Sequence, residues 1–301
     1  MNHVDVVIIG GSNAGLSAAL TLGRSCRKVA VIDAGDPRNA PASHAHNIFT
    51  RDGTPPSELL RIGREQLEPY DVEVLQARVS QITGSKNTFE LTLDNGESLS
   101  ARRIVLATGI SDDLPDVLGI KELWGKSIFT CPYCHGWEVR GKPLVVVGDG
   151  AANHYGYARL IQHWSRNLIF IAGETPVVTL ERLADLEERG IRVVEANVTE
   201  FEHDGGKLEA VQLSNGESLA RHAAFMPMPM SLKGDLHTQL GCELSEDGDK
   251  LIVDDKNQTS VAGVYAAGDI VTTPMHSVTF AMASAQKTAT SLNVDLIIAA
   301  S

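Results

Sequence analysis

The opening of the chain constrains its fold more than any other stretch. Val4-Asp5-Val6-Val7-Ile8-Ile9 is a short β-branched run that ends in Gly10-Gly11-Ser12-Asn13-Ala14-Gly15; Leu16 to Leu22 then reads as helix and Lys28 to Ile32 as a second buried strand. Strand, glycine-rich turn, helix and strand in that order make a βαβ unit. The backbone of such a turn can approach a pyrophosphate, and the helix N-terminus offers it N–H groups and partial positive charge. Asp33, at the end of the second strand, stands where a carboxylate accepts ribose hydroxyls. The G-x-G-x-x-G pattern departs from its usual form at the middle glycine, here Ser12, which is small enough for phosphates to approach with slight adjustment.

The arrangement recurs. Pro143-Leu144-Val145-Val146-Val147 runs into Gly148-Asp149-Gly150-Ala151-Ala152-Asn153, with a helix expected to about Trp164 and a strand from Leu168 to Ile171. Asp94-Asn95-Gly96-Glu97-Ser98-Leu99 reappears as Ser214-Asn215-Gly216-Glu217-Ser218-Leu219, each before a strand that returns to the sheet, which favours two related units. Thr54-Pro55-Pro56-Ser57 opens a helix through about Leu67. Val72 to Val74, Arg78 to Ile82, Phe89 to Leu93, Ser98 to Leu99 and Arg103 to Ala107 read as strands, and Pro115 to Gly125 as a loop-rich connector. Near the end, Gly263-Val264-Tyr265-Ala266-Ala267-Gly268-Asp269 is a strand running into Gly-Asp. Ser277 to Asn293 follows as a long helix of small residues that needs the N-terminal unit as its partner. The predicted fold class is α/β, with two Rossmann-like, three-layer βαβ domains, the second inserted into the first. Residues 1–114 and 233–301 make up the first, and 115–232 the second.

Two of the four cysteines stand in Thr130-Cys131-Pro132-Tyr133-Cys134-His135-Gly136-Trp137-Glu138. Thiols at C-x-x-C spacing can close a disulfide whose electrons exchange readily. Half of a zinc site is the competing reading, but no second C-x-x-C or H-x-x-x-H completes it, so no metal is expected. Cys26 and Cys242 have no partner at short range and read as structural, as in a reducing compartment. Val4 to Ile9 is too short for a membrane span and carries no basic flank or cleavage signal, so a cytoplasmic protein without membrane attachment is expected. A formal net charge of −12 argues against nucleic acid as a partner.

The N-terminal fingerprint, a C-x-x-C ahead of a second fingerprint, and Ala266-Ala267-Gly268-Asp269 before a final helix together resemble the low-molecular-weight thioredoxin reductase family of flavoproteins, over essentially the whole chain. The resemblance implies FAD held at its adenine end by Gly10, Ser12, Asn13, Ala14, Gly15 and Asp33, with Val79 a backbone neighbour of adenine and Ala107, Thr108 and Gly109 a second close approach. It implies Gly268 and Asp269 near the ribityl chain and pyrophosphate, and Asn47, His276, Ser277 and Val278 near the isoalloxazine. Read alone, Asp269 is a turn residue capping a helix. For Asn47, His44 and His46, the polarity of a surface loop explains the residues nearly as well as flavin contact. The family resemblance also implies a homodimer.

Within that family, Cys-Pro-Tyr-Cys-His-Gly-Trp-Glu is similar to the dithiol oxidases of microbial natural-product pathways, of the gliotoxin and holomycin type. Pro132 and Tyr133 lie between the cysteines, and His135 rather than Asp follows them. The likeness implies a small-molecule dithiol closed to a disulfide, with Cys131 the exchanging sulfur, Cys134 the flavin-proximal one, and electrons passed through FAD to O2 to give H2O2. His135 is the candidate base, with plain packing or capping as its alternative; Glu138 could orient it if the stretch is helical. An NAD(P)H-dependent reductase of thioredoxin or a small disulfide is the alternative function, and it needs a working second turn. There Asn153 replaces Gly or Ala, with a side chain expected to intrude between helix and strand. Glu174 follows the second strand, in Ala172-Gly173-Glu174-Thr175-Pro176, where arginines are needed for a 2′-phosphate. A carboxylate beside that phosphate is repulsive by on the order of 1 kcal/mol. NADPH is disfavoured on both grounds, and NADH on the first alone. No motif encodes which dithiol is used.

Overall fold

The computed structural model describes residues 3–148, 152–174, 179–272 and 275–299. The chain forms two compact units: Met1–Ala40, Thr54–Asp112 and Met230–Ser301 make the first, and Pro41–Gly53 with Asp113–Pro229 the second. Sequence position alone puts Pro41–Gly53 in the first unit, whereas its contacts put it in the second.

The first unit begins with β1 (His3–Ile9), α1 (Asn13–Arg24), β2 (Val29–Asp33), α2 (Pro56–Glu65) and β3 (Val72–Gln76). It continues through β4 (Val79–Thr83), β5 (Phe89–Leu93), β6 (Ser98–Leu106) and β7 (Ile110–Asp112). The second unit holds α3 (Ile120–Leu123), β8 (Ile128–Phe129), α4 (Pro132–His135), β9 (Leu144–Val147), α5 (Ala152–Ile161), β10 (Leu168–Ile171) and α6 (Leu180–Glu188). After these come β11 (Arg192–Val194), β12 (Val198–Asp204), β13 (Lys207–Leu213), β14 (Ser218–Ala220) and β15 (Ala223–Phe225). The chain then returns to the first unit as β16 (Met230–Leu232), α7 (Leu236–Leu240), β17 (Val264–Ala266) and α8 (Val278–Ile298).

In the first unit the sheet runs β3-β2-β1-β6-β5-β4, with β1 parallel to both β2 and β6. A strand covered on both faces is apolar throughout, which is why β1 and β2 read as continuous runs. Val7 and Ile9 enter one core and Val6 and Ile8 the other. The second core is closed by α1, whose Ala14, Ala18 and Ala19 are small enough for α8 to lie against them through Ala285, Ala289, Leu292 and Leu296.

The sequence predicts two strands at Ser98–Leu99 and Arg103–Ala107, and the structure joins them as the nine-residue β6. Its first half is antiparallel to β5 and its second half parallel to β17. The pair Arg102-Arg103 interrupts the apolar pattern, yet Arg103 is fully buried. Its Nε donates to Asp295 Oδ2 on α8 at 2.5 Å, and its Nη1 to Asn87 Oδ1 at 2.7 Å, so the charge is paired inside the fold.

The second unit repeats the plan with a parallel sheet in the order β11-β10-β9-β15-β8 and an antiparallel β12-β13-β14. The repeated hexapeptide forms the same turn twice. Gly96 and Gly216 adopt φ of 86° and 84°, and the Glu97 and Glu217 amides donate to Asn95 and Asn215 Oδ1 at 3.0 and 2.9 Å. Among the described residues no helix is long and apolar enough to cross a membrane.

Candidate functional site

In the first unit, the turn after β1 is shaped by collisions that glycine avoids. A Cβ on Gly10 would lie 2.2 Å from Ala107 O, and one on Gly15 would lie 1.8 Å from Gly10 O, so the strand, the turn and α1 cross too closely for any other residue. Ser12 is the N-cap of α1 and makes no side-chain capping bond, which leaves the amides of the first turn, from Asn13 onward, to an incoming anion. Ala14 sits against Gly268, where a Cβ would come within 2.9 Å. These residues fit the pyrophosphate of FAD.

Two residues of this cradle escape the motif. Gly11 has no room for a side chain, because its Cβ would sit 2.5 Å from Asp33 Cγ; the Gly-Gly pair is the only sequence signal for it. Arg64, on α2, donates through Nη2 to Asp33 Oδ2 at 2.6 Å, while Asp33 Oδ1 accepts the Gly35 amide at 3.0 Å. Asp33 is buried, and a carboxylate with about four lone-pair sites keeps capacity for ribose hydroxyls beside these two bonds.

Asp269 follows the positive-φ Gly268 and is held by Arg38, whose Nη1 lies 3.3 Å from its Oδ2. The same guanidinium binds Asp112 on β7, through Nε at 2.8 Å and through Nη2. Burial opposes the Arg38 charge, but the two carboxylates outweigh it and raise its pKa. His276 lies in the field of Asp269, Arg38, Lys250 and Asp112, and burial pushes its pKa down. Ser277 caps α8 by accepting the Phe280 amide at 3.2 Å, and Val278 is the first residue of that helix. Val79 opens β4 and is buried against Leu93, while Ala107 donates to Ile9 O. Thr108 and Gly109 follow Ala107, with Gly109 at φ 74°.

The second unit carries the cysteines. Cys131 and Cys134 form a disulfide with a Cα–Cα distance of 5.3 Å. Cys131 is the extended N-cap of the one-turn α4, Pro132 takes the position where a missing N–H costs nothing, and the Cys134 and His135 amides both donate to Cys131 O at 3.2 Å. Gly136 ends the turn beneath Trp164, whose Nε1 would be 2.7 Å from an added Cβ. Tyr133 and Trp137 are exposed, and Arg140 covers the Trp137 ring at 3.7 Å.

His135 packs into the unit, the alternative that the sequence leaves open beside the role of base. Its ring stacks on Phe129 of β8 with centroids 4.2 Å apart, and both ring nitrogens are shielded from solvent with no hydrogen-bond partner among the described residues. Burial lowers its pKa to about 4, against the opposing pull of Glu138, so the imidazole is neutral at pH 7 and a weak proton acceptor. Asn47, which the resemblance groups with the isoalloxazine, lies in this unit, where its Nδ2 donates to Tyr133 O at 2.6 Å. His46, on the same loop, lies between Asp52 and Glu138.

Around the second turn, Gly148 donates to Ile171 O at 2.9 Å and lies against the His154 ring. Asp149, Gly150, Ala151, Thr175 and Pro176 fall outside the described residues. Asn153 is exposed and does not intrude between helix and strand; its Oδ1 accepts the His154 amide at 3.1 Å, within the first turn of α5. Glu174 is exposed, with its amide on Asn197 Oδ1 at 3.3 Å. Arg159, Arg182 and Arg189, far apart in the linear pattern, gather on Tyr155 and Asp185. Of the remaining cysteines, Cys242 is buried and Cys26 is exposed, so the structural reading fits Cys242 alone. Among the described residues no three His, Cys, Asp or Glu side chains are placed to hold a metal.

Residues 4–285 match the family described as pyridine nucleotide-disulphide oxidoreductase. The chain belongs to that family. It is 31% identical to the thioredoxin reductase sirT of Leptosphaeria maculans, over 96% of this chain and 93% of that protein. It is 31% identical to the thioredoxin reductase tcpT of Claviceps purpurea, over 89% and 87%. The crystal structure of HlmI superposes with a TM-score of 0.90 at 36% identity, covering 98% of this chain and 93% of that one. Membership in this oxidoreductase family implies FAD as the cofactor, in agreement with the fit of the first turn.

Proposed function

We propose that this family member is an FAD-dependent dithiol oxidase, closing a small-molecule dithiol to a disulfide through Cys131 and Cys134, with O2 as acceptor and H2O2 as product. The observation that carries the reading is the disulfide itself, held on a one-turn helix in the sequence Cys-Pro-Tyr-Cys-His-Gly-Trp-Glu. A substrate thiolate attacks Cys131 Sγ, the S–S bond breaks, and Cys134 leaves as a thiolate. The second substrate thiolate attacks its own tethered sulfur, Cys131 is released, and the substrate departs oxidised by two electrons that now reside on the cysteine pair. Bound FAD supplies the acceptor for that electron pair and the route from it to O2. Gly10, Gly11, Ser12, Gly15, Asp33, Gly268 and Asp269 would hold the cofactor. In this reading the second turn is structural, since Asn153 occupies an amide of α5 and Glu174 follows β10. The protein is expected to work as a cytoplasmic homodimer with no nucleic acid or membrane partner.

A nicotinamide-driven disulfide reductase is the second reading. It is favoured by the fungal relatives being named thioredoxin reductases, by the exposure of Asn153, and by the arginines gathered around Tyr155. Dithiothreitol, O2 and holoprotein without nicotinamide separate the two. The oxidase forms H2O2 in proportion to dithiol consumed, and Cys131→Ser or Cys134→Ser abolishes turnover with FAD still bound. No peroxide from wild type, or full turnover in either variant, overturns the proposal.

A further inference from the structure

Each substrate thiol must lose a proton before its sulfur can attack, and His135 is poorly placed to take it. Pro41–Gly53, although far from the cysteines in sequence, belongs to the unit that carries the disulfide. Asn47 Nδ2 ties this loop to Tyr133 O at 2.6 Å, the carbonyl of a residue lying between the two cysteines. Asn47 takes a left-handed φ of 60°, and its amide donates to Asp52 Oδ1 at 2.7 Å, which closes the turn. The other Asp52 oxygen lies 3.4 Å from His46 Nδ1. His46 Nε2 faces Glu138 Oε1 at 3.6 Å, four residues beyond Cys134. The imidazole is 22% exposed, against 67% for Asp52 and 42% for Glu138, so it is partly covered without being sealed as His135 is. Its other titratable neighbours are His44, with ring centroids 6.3 Å apart, and His135 across the field of Glu138.

We propose that His46 is the proton acceptor of the disulfide site, with Asp52 its positioning residue and Glu138 the carboxylate that stabilises the imidazolium. This rests on the dithiol reading above. Imidazole is the side chain that ordinarily takes and releases a proton near neutrality. His46 Nε2 removes the proton of the first substrate thiol as that sulfur bonds to Cys131 Sγ and the S–S bond breaks toward Cys134, and this proton then passes to the Cys134 thiolate. The imidazole, neutral again, takes the proton of the second thiol, whose sulfur displaces Cys131, and returns it to the Cys131 thiolate. Two electrons and two protons leave the substrate, and both pairs reside on the reduced cysteines.

The test is the rate at which dithiothreitol reduces Cys131–Cys134 in the holoprotein, followed by quenching with an alkylating agent and mass spectrometry, across a range of pH. His46→Gln is expected to slow reduction on the order of 100-fold while the dithiol is protonated, and to approach wild type above about pH 9, where the thiol ionises unaided. Free imidazole restores the rate, Asp52→Asn gives a smaller loss of the same pH shape, and His44→Gln behaves as wild type. An unchanged rate in His46→Gln overturns the proposal. So does a loss equal at every pH and unaffected by imidazole, which is the mark of a merely structural residue. The two claims fail separately. His46-dependent reduction without peroxide removes the oxidase and leaves the proton acceptor; peroxide with His46-independent reduction does the reverse.

Discussion

At Gly11 a single methyl group decides whether the turn can work. Gly11 avoids positive φ, so alanine is tolerable to the backbone there, but its Cβ would press on the Asp33 carboxyl at 2.5 Å. Gly11→Ala should weaken FAD binding about tenfold or more, from overpacking of roughly 1–3 kcal/mol. Flavin fluorescence on titration of the apoprotein measures it, and wild-type affinity contradicts it. His135 gives a second prediction. Its folded pKa of about 4 lies below the ordinary value of 6.5, so folding favours the neutral ring. That contribution is complete above about pH 6.5 and is lost as pH falls toward 4. Between neutral pH and about pH 4.5 the urea midpoint of wild type should therefore fall more than that of His135→Phe, which keeps a ring on Phe129 without a titrating group; equal falls contradict the assignment. The sequence makes His135 conspicuous by its place after Cys134. It does not reveal the stack on Phe129, which sets the last residue of α4 against the last residue of β8.

Arg103 and Asp295 join two elements, β6 and α8, and their worth belongs to that scale. Asp295 also accepts from Lys86 at 2.8 Å, and although burial pushes its pKa up, Arg103 and Lys86 outweigh burial and hold it below the usual carboxylate range. Asp295→Ala leaves Arg103 charged and unpaired within the fold and should cost about 3–5 kcal/mol, whereas exchanging both residues for apolar ones should recover most of it. Urea unfolding of the two variants checks this; equal losses contradict it. The pairing also explains why β6 is misread as two strands, since an arginine whose partner lies 192 residues away looks like a surface residue. By contrast the start of α8 is legible to within a residue, because Ser277 carries its capping role in its own chemistry. The three-residue β7 and β16 give no sequence signal, being too short for a period to show.

The chain as a whole is built by repetition, and repetition is what the sequence shows best. Two strand–turn–helix openings and a hexapeptide that makes the same turn in each unit announce the α/β architecture. Pro41–Gly53 lies outside that repetition. Its bond to Tyr133 spans 86 residues, so its membership of the cysteine-bearing unit cannot be read from local pattern. At the second turn, linear reading finds the departures at Asn153 and Glu174 but misplaces the first of them. The direction of electron flow follows from what each unit accepts, so it is tested by offering the protein both donors. Holoprotein should be mixed anaerobically with dithiothreitol or, separately, with NADPH, and the yellow flavin absorbance followed. Rapid bleaching by the dithiol, lost in Cys131→Ser, with colour unchanged by NADPH, is the predicted result; rapid bleaching by NADPH with no response to dithiol would contradict it.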